Sequence, residues 1–306
     1  MAPSAEAVYL KAQAYAEGKG VPRDVVEAAR LYRCAATQGH MRALYDLGKC
    51  YVTGTGVPQD WPQALHFLRL AAGKGHAGAL FALGLCYQNG EGVSRDQAEA
   101  VRFFTIASDL KFAVAQHQLA LYYDKGIVVP RDAAKAAQLY TLAADCGYLH
   151  AQFSLAVCFE EGNGVVTNTT KAEHYYRLAV GNGHALASFG LGKLLLDTAE
   201  GDATREREGA LSIARAASQM GAEGERMACA TLMFHMDKRG VAHACCVGCC
   251  KTKQLKTCGK CRVAKFCGAE CMQRMWPMHK ASCRKFAKEA AAAAACGAPA
   301  AAPSRT

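Results

Sequence analysis

The stretch ALYDLGKCYVTGTGVPQD, residues 43–60, decides the fold of this chain. It returns 36 residues later as ALFALGLCYQNGEGVSRD, residues 79–96. Five copies follow one another at this spacing without an insertion, and two of the repeated positions are Asp24, Asp60, Asp96, Asp132 and Asn168, and Leu47, Leu83, Leu119, Leu155 and Leu191. A constant period of about 20 to 50 residues is typical of stacked repeats. The sequence therefore predicts a repeat protein with a period of 36 residues.

Each repeat is predicted to form two helices. In the second copy, the first helix spans 43–53, where apolar residues follow helical spacing. Gly54 and Gly56 end it, because glycine tolerates the backbone angles found at a helix end. Asp60 then caps the second helix, which ends at Gly73 or shortly after it. The predicted fold class is all-α: an α-solenoid of stacked helix pairs.

Two further features support stacked helix pairs: capping boxes at the starts of helices and small residues at fixed repeat positions. Asp24 with Glu27, and Asp96 with Glu99, have the spacing of a capping box, in which the two side chains bond each other's backbone amides. Alanine and glycine recur at fixed repeat positions. We expect them where neighbouring helices approach closely, because a larger side chain would force the helices apart.

The repeated pattern resembles the Sel-one-like repeat family, a relative of the tetratricopeptide repeat. The resemblance covers about residues 1–220 and is carried in the second copy by Ala43-x3-Leu47-Gly48-x2-Tyr51-x2-Gly54-x-Gly56-Val57-x2-Asp60. Repeat four departs from this pattern, because it has Val128 at the position that Gly56 occupies in repeat two. We expect Gly126 to make the turn of repeat four instead. A degraded sixth copy and a capping helix over 223–238 complete a predicted solenoid domain over 1–240. The resemblance implies that this domain binds other proteins.

The sequence predicts packing or partner-binding roles for three sets of repeat positions. Cys50, Cys86 and Cys158 share one position and are predicted to be packing residues rather than ligands. A second position is predicted to pack between repeats, including its histidine: Tyr45, Phe81, His117, Phe153 and Phe189. Variable positions of the first helices are predicted to line the concave, partner-binding side: Arg42, Asp46, Lys49, Gln116 and Gln152.

A second module is indicated by eight metal-ligating side chains near the C-terminus: Cys246, Cys249, Cys258, Cys261, Cys267, Cys271, His279 and Cys283. Thiolate and imidazole ligands in this number fit two tetrahedral Zn²⁺ ions, both structural because eight ligands leave no open coordination position. Cys245 and Cys250 offer rival registers for the first pair, of which Cys246 with Cys249 is preferred. A disulfide framework is disfavoured, because no secretory signal is evident.

The order of these ligands resembles the MYND-type zinc finger, within a predicted domain over 243–286. Phe266 and the stretch Trp276-Pro277-x-His279-Lys280 match family positions. The resemblance implies cross-braced sites, one held by Cys246, Cys249, Cys267 and Cys271 and the other by Cys258, Cys261, His279 and Cys283. It also implies a groove at Trp276 for a proline-containing peptide, although Met272 replaces the glutamine of that groove. Residues 287–306, mostly alanine, are predicted to form a disordered tail.

Charge and composition narrow the function. The formal net charge of +10 is concentrated in 243–289, which holds 11 basic and two acidic residues. Zn²⁺ and its thiolates would reduce the local charge to roughly +6, which could still attract nucleic acid or an acidic partner. Nucleic acid is the weaker candidate, because no pattern of stacking aromatic residues accompanies the charge. No apolar run is long enough to predict a transmembrane helix, so no membrane partner is expected. The free cysteines favour the cytosol or the nucleus.

These features predict a non-enzymatic adaptor that holds one protein on the solenoid and another on the finger. No grouping of nucleophile, base and acid is recognised, and no phosphate-binding loop. One alternative is a substrate adaptor of a ubiquitin ligase, if an F-box lies upstream. A second is a nucleic-acid-associated regulator that uses the basic finger. A lysine methyltransferase is disfavoured, because the repeats leave no segment for a SET domain.

Overall fold

The computed structural model describes residues 3–202, 204–217, 219–221, 231, 256–257 and 265–266. The predicted capping helix over 223–238, apart from residue 231, lies outside these residues, as do the eight zinc ligands, Trp276 and the tail. Thirteen-residue helices succeed one another through the repeats, in the order α1 (Ala5–Glu17), α2 (Val25–Thr37), α3 (Met41–Thr53), α4 (Trp61–Gly73), α5 (Ala77–Asn89), α6 (Gln97–Asp109), α7 (Ala113–Lys125), α8 (Ala133–Asp145), α9 (Leu149–Glu161), α10 (Thr169–Gly181) and α11 (Ala185–Asp197). Residues 204–217 are also helical, and two short strands follow, β1 (Lys256–Thr257) and β2 (Lys265–Phe266).

The chain divides into two compact units. The first unit contains residues 1–158 and 162–166, and the second contains 159–161 and 167–306. In the first unit, the helices pack in successive pairs, α1 with α2, α3 with α4, α5 with α6 and α7 with α8, and each pair packs on the next. In the second unit, α10 packs on α11. The prediction of an all-α stack of helix pairs is confirmed, and the first helix of repeat two begins at Met41, two residues earlier than predicted.

Aspartates start the second helices, as predicted. The Oδ1 atom of Asp24 accepts hydrogen bonds from the backbone amides of Val26 and Glu27, both at 3.0 Å. The same position caps α4, α6, α8 and α10 through Asp60, Asp96, Asp132 and Asn168. These caps satisfy amides that have no partner inside the helix.

The predicted capping box is only half formed. The backbone amide of Asp24 donates to the carbonyl oxygen of Tyr15 at 3.0 Å, and the side chain of Glu27 pairs with Arg30 instead. Asp96 behaves in the same way, because its amide donates to Tyr87 and Glu99 pairs with Arg102. In both repeats, the carbonyl at the end of the first helix therefore takes the donor that the glutamate needs for a capping box.

The turn of repeat four differs from the prediction. Gly126, at φ 66°, ends α7 as the corresponding glycines end α3 and α5, and it does not replace the second turn glycine. Val128 itself takes the left-handed conformation, at φ 67°, and Lys111 does so at φ 60° where most other repeats have glycine. The repeated stacking of helix pairs therefore holds Val128 and Lys111 in a backbone conformation that residues with a side chain disfavour.

Small residues lie where helices of one pair cross, as predicted. A Cβ atom added to Gly48 would lie 2.9 Å from Cγ of Leu68, and one added to Gly84 would lie 2.5 Å from Cε1 of Phe104. Both distances are too short for carbon atoms in contact. The glycines therefore allow the fully buried Leu68 and Phe104 to pack directly against the first helix of their own repeat.

Candidate interaction face

The first helices of the first unit present a series of partly exposed side chains. Within each repeat these occupy three positions, and together we call them the first-helix face: Tyr45, Asp46 and Lys49 on α3, Phe81, Ala82 and Leu85 on α5, His117, Gln118 and Leu121 on α7, and Phe153, Ser154 and Val157 on α9. All of them are half-buried except Lys49, which is exposed. The amide of Gln118 donates to Oε1 of Gln88 at 3.0 Å, which links α7 to α5.

Aromatic rings connect successive first helices at one edge of this face. Tyr9 stacks on His40 with ring centroids 4.5 Å apart, and Tyr45 stacks on His76 at 4.4 Å. The same two repeat positions bring together Phe81 with Phe112 at 5.6 Å and His117 with Tyr148 at 5.4 Å. The prediction that this position packs between repeats is confirmed for these residues.

His117 is a packed histidine, as predicted. Its ring also contacts the ring of Tyr140, at 5.5 Å between centroids, and its Nε2 atom lies 3.3 Å from Oγ of Ser154. The cysteines of the neighbouring position are packing residues as well, since Cys86 and Cys158 are buried and Cys50 is half-buried.

Two of these rings also cap helices. Nδ1 of His40 accepts a hydrogen bond from the amide of Ala43 at 3.1 Å, and Nδ1 of His76 accepts one from Ala79 at 3.1 Å. An imidazole nitrogen accepts a hydrogen bond only when it carries no proton. The cap of α5 therefore requires neutral His76, and a protonated ring there would also face the positive end of the helix dipole.

We expect this capping to make the stability of the protein fall in mild acid. Burial lowers the pKa of His76, an effect that exceeds the opposite influence of Asp46 on the same ring, and Arg42 lowers the pKa further. The unfolded chain then binds the proton more tightly than the folded one. The stabilisation is complete above the ordinary histidine pKa of about 6.5 and is lost as the pH falls through the lower folded value.

Urea unfolding at pH 7.5 and at pH 5 measures this effect. His76→Asn keeps a capping side chain that does not titrate in this range, so its stability should fall by about 1 kcal/mol less than that of the wild type. His66→Asn, at an exposed histidine of α4, is the control and should behave as the wild type does. Equal losses in the wild type and His76→Asn would show that His76 does not act as a titrating cap.

Asp46 is the half-buried carboxylate of the first-helix face. Its Oδ2 atom accepts a hydrogen bond from the hydroxyl of Tyr9 at 3.1 Å. Burial raises the pKa of Asp46, and burial together with the Asp46 charge raises the pKa of Tyr9 to about 12. Arg42 and Lys49 are exposed beside it. The prediction that these three residues lie on an accessible face agrees with their exposure.

The prediction is wrong for Gln116 and Gln152, each of which is only 4% exposed. They occupy the repeat position of Leu44 and Leu80, which is buried in the preceding repeats. Their place among the variable positions of the first helices suggested a solvent-facing role, but the helix rotation that packs Leu44 also buries them. The Nε2 atom of Gln152 donates to the carbonyl of Ala144 at 3.5 Å, whereas within the described residues Oε1 of Gln116 accepts no hydrogen bond.

We expect Gln116→Leu to stabilise the protein by about 1 to 2 kcal/mol. A buried acceptor without a partner costs about 1 to 3 kcal/mol, and leucine already fills this position in two neighbouring repeats. Chemical denaturation measures the change. Gln152→Leu is the matched control, because it removes a bonded amide and should gain less. A destabilised Gln116→Leu variant would show that the amide has a role that leucine cannot replace.

The predicted metal sites lie outside the described part of the chain. Within the described residues, no group of three or more histidine, cysteine, aspartate or glutamate side chains is arranged to hold a metal ion. No helix among those residues is long and apolar enough to cross a membrane.

Comparison with known proteins agrees with the fold. The Sel1 repeat matches residues 5–40, 42–76, 77–112, 113–148 and 149–184. The crystal structure of c5321, a protective antigen of uropathogenic Escherichia coli with an SLR fold, is 28% identical, with a TM-score of 0.67 over 78% of this chain and 50% of that one. A Sel1 repeat protein from Oxalobacter formigenes is also 28% identical, with a TM-score of 0.61 over 70% of this chain and 85% of its own.

A shorter similarity concerns an enzyme. The histone-lysine N-methyltransferase ASHR1 of Arabidopsis thaliana is 37% identical over 43 residues, which are 14% of this chain and 9% of that protein. The chain thus spans a small part of this relative and half of the c5321 structure. The five consecutive repeats cover more than half of the chain, and the chain belongs to the Sel1 repeat family.

Proposed function

We propose that this protein is a non-enzymatic, zinc-binding adaptor of the cytosol or nucleus. The Sel1 repeat solenoid fits a protein–protein interaction scaffold. In the proposal, the first-helix face holds one protein, and a MYND-type finger with two structural Zn²⁺ ions holds a second, such as a proline-containing peptide at Trp276. The observation that carries the scaffold role is the repetition of half-buried side chains at the same positions of α3, α5, α7 and α9.

The chemistry of the first-helix face supports protein binding. Leu85, Leu121 and Val157 offer apolar surface that a partner can cover, and Gln118 and Asp46 offer polar atoms beside it. Interfaces combine an apolar centre with a polar rim in this way. Hydrogen bonds between repeats hold Gln118 and Asp46, and ring packing holds Tyr45, Phe81 and His117, so these side chains lose little conformational entropy when a partner binds.

The strand pair supports the two-zinc arrangement. β1 and β2 run antiparallel, with Lys256 opposite Phe266 and Thr257 opposite Lys265. In the sequence, Cys258 follows Thr257 directly and Cys267 follows Phe266 directly, so two of the proposed ligands adjoin the strand pair. In the proposed cross-braced arrangement, Cys258 and Cys267 bind different Zn²⁺ ions.

The similarity to a histone-lysine N-methyltransferase gives limited support to the finger. MYND-type fingers resemble one another across adaptors and methyltransferases, so a short match of 43 residues is compatible with a shared finger. It covers 9% of the enzyme and brings no catalytic assignment to this chain.

Two other functions each have one observation in their favour. The order of repeats followed by a finger resembles substrate adaptors of ubiquitin ligases. The 11 basic residues in 243–289 favour nucleic-acid binding.

Affinity capture from a cell lysate, followed by mass spectrometry, tests the proposal. Full-length wild type, Leu121→Glu and Trp276→Ala are compared. Leu121→Glu should lose one set of proteins and Trp276→Ala another. Ile127→Glu, at an exposed aliphatic residue in the turn of the same repeat, is the control and should retain both sets. Identical captures by all four proteins contradict the adaptor role, and capture of nucleic acid that weakens steeply with salt favours the basic finger.

A further inference from the structure

The second helices of the first unit carry exposed apolar side chains at one repeat position. Leu70, Ile106 and Leu142 are 45%, 48% and 51% exposed, and Cys34, also exposed, occupies this position in repeat one. We call these four residues the second-helix column. One exposed leucine is ordinary on a protein surface, whereas apolar residues repeated at one position of stacked helices indicate an interaction site.

The second-helix column faces away from the core of the repeats. Leu70, Ile106 and Leu142 each precede a fully buried alanine, Ala71, Ala107 and Ala143 respectively. Successive helix residues are rotated by about 100°, so the column is turned away from the packed side. It lies on α2, α4, α6 and α8, whereas the first-helix face lies on the other helix of each repeat.

The charges beside the column differ between its two ends. On α2 and α4, Arg30 is paired with Glu27, and Arg33, which donates to the hydroxyl of Tyr51, and Arg69 add two positive charges. On α6 and α8, Arg102 is paired with Glu99, and the negative charges of Asp109 and Asp145 exceed the one positive charge of Lys135, which donates to the hydroxyl of Tyr123 at 2.7 Å. Within the described residues, the side chains of Arg69, Asp109 and Asp145 form no ion pair or hydrogen bond.

We propose that the second-helix column binds a second copy of this chain in an antiparallel, two-fold arrangement. A two-fold axis that passes between repeats two and three, at right angles to the column, sets Leu70 opposite Ile106 of the partner subunit. The same rotation sets the end of the column with Arg33 and Arg69 against the end with Asp109 and Asp145 of the partner subunit. The column is thus self-complementary in both apolar character and charge, and a parallel arrangement would oppose like charges.

Sedimentation of the full-length chain over a concentration series tests the proposal. The wild type should be a dimer, and Ile106→Lys, which puts a charge at the centre of the column, should be a monomer. Leu10→Lys makes the same kind of change at a leucine of α1 that is 54% exposed and lies off the column, and it should remain a dimer. Circular dichroism verifies that both variants keep their helices.

Exchange of charges makes the test specific for self-association. Arg69→Asp and Asp109→Arg should each weaken dimerisation by about tenfold or more, because each opposes like charges twice across the axis. An equimolar mixture of the two variants should recover the wild-type affinity, because every pair across the axis is then of opposite charge. The proposal is overturned if the wild type stays monomeric, or if the mixture does not recover the wild-type affinity of dimerisation. Either result overturns it even if another protein binds the column.

Discussion

Gly56→Ala should destabilise the repeats by about 4 kcal/mol, which is exceptional for the addition of one methyl group. Gly56 lies in the turn between α3 and α4 at φ 73°, where a residue with a side chain is strained by about 1 to 3 kcal/mol. A Cβ atom there would also lie far inside van der Waals contact with the carbonyl oxygen of Val25, the first residue of α2. Because that oxygen belongs to the backbone, no change of rotamer relieves the overlap.

Gly75→Ala is the control that separates the two causes. Gly75 has a similar φ of 81°, but a Cβ atom would meet nothing within 4 Å, so we expect a loss of only about 1 kcal/mol. Urea unfolding monitored by circular dichroism gives both values. Equal losses in the two variants would mean that the turn moves away from α2 at little cost. Repeat four accommodates a side chain at this position, because Val128 there is exposed.

Cys258→Ser should release one of the two proposed Zn²⁺ ions and unfold the finger while the repeats stay helical. Serine is a poor zinc ligand, and a structural site contributes an apparent binding free energy of about 10 to 16 kcal/mol, which is also folding energy. The repeats build their own cores from residues such as Leu47, Leu83 and Leu155, so they do not require the metal. Zinc analysis and circular dichroism of the full-length chain measure both effects.

Two comparisons make this experiment decisive. Cys146→Ser, at an exposed cysteine after α8, should leave the zinc content unchanged. Cys246→Ser and Cys245→Ser compare the two registers of the first ligand pair, and only the former should release metal. An unchanged zinc content in Cys258→Ser contradicts the ligand assignment. Loss of helical signal throughout the chain contradicts the independence of repeats and finger.

The sequence determined the helices of the repeats, because their signals are local. The period of 36 residues predicted two helices in each repeat, and Asp60 and Asp96 cap the second helices of their repeats as predicted. The spacing of ligands from Cys246 to Cys283 likewise predicts two zinc sites. Close helix contacts at Gly48 and Gly84 followed from residue size, since only small residues fit where two helices nearly touch.

Packing between helices decided what the sequence of one helix does not encode. Gln116 and Gln152 are polar yet buried, because their helices keep the rotation that packs Leu44 and Leu80 in the preceding repeats. Asp24 forms only half of a capping box, because its backbone amide donates to the carbonyl of Tyr15 and Glu27 pairs with Arg30. Val128 takes a glycine conformation, because stacking fixes the path of its turn. For Gln116, Gln152 and Asp24, a neighbouring helix fixes the packing or supplies a contact that outweighs the local preference, and only the folded stack brings that helix into place.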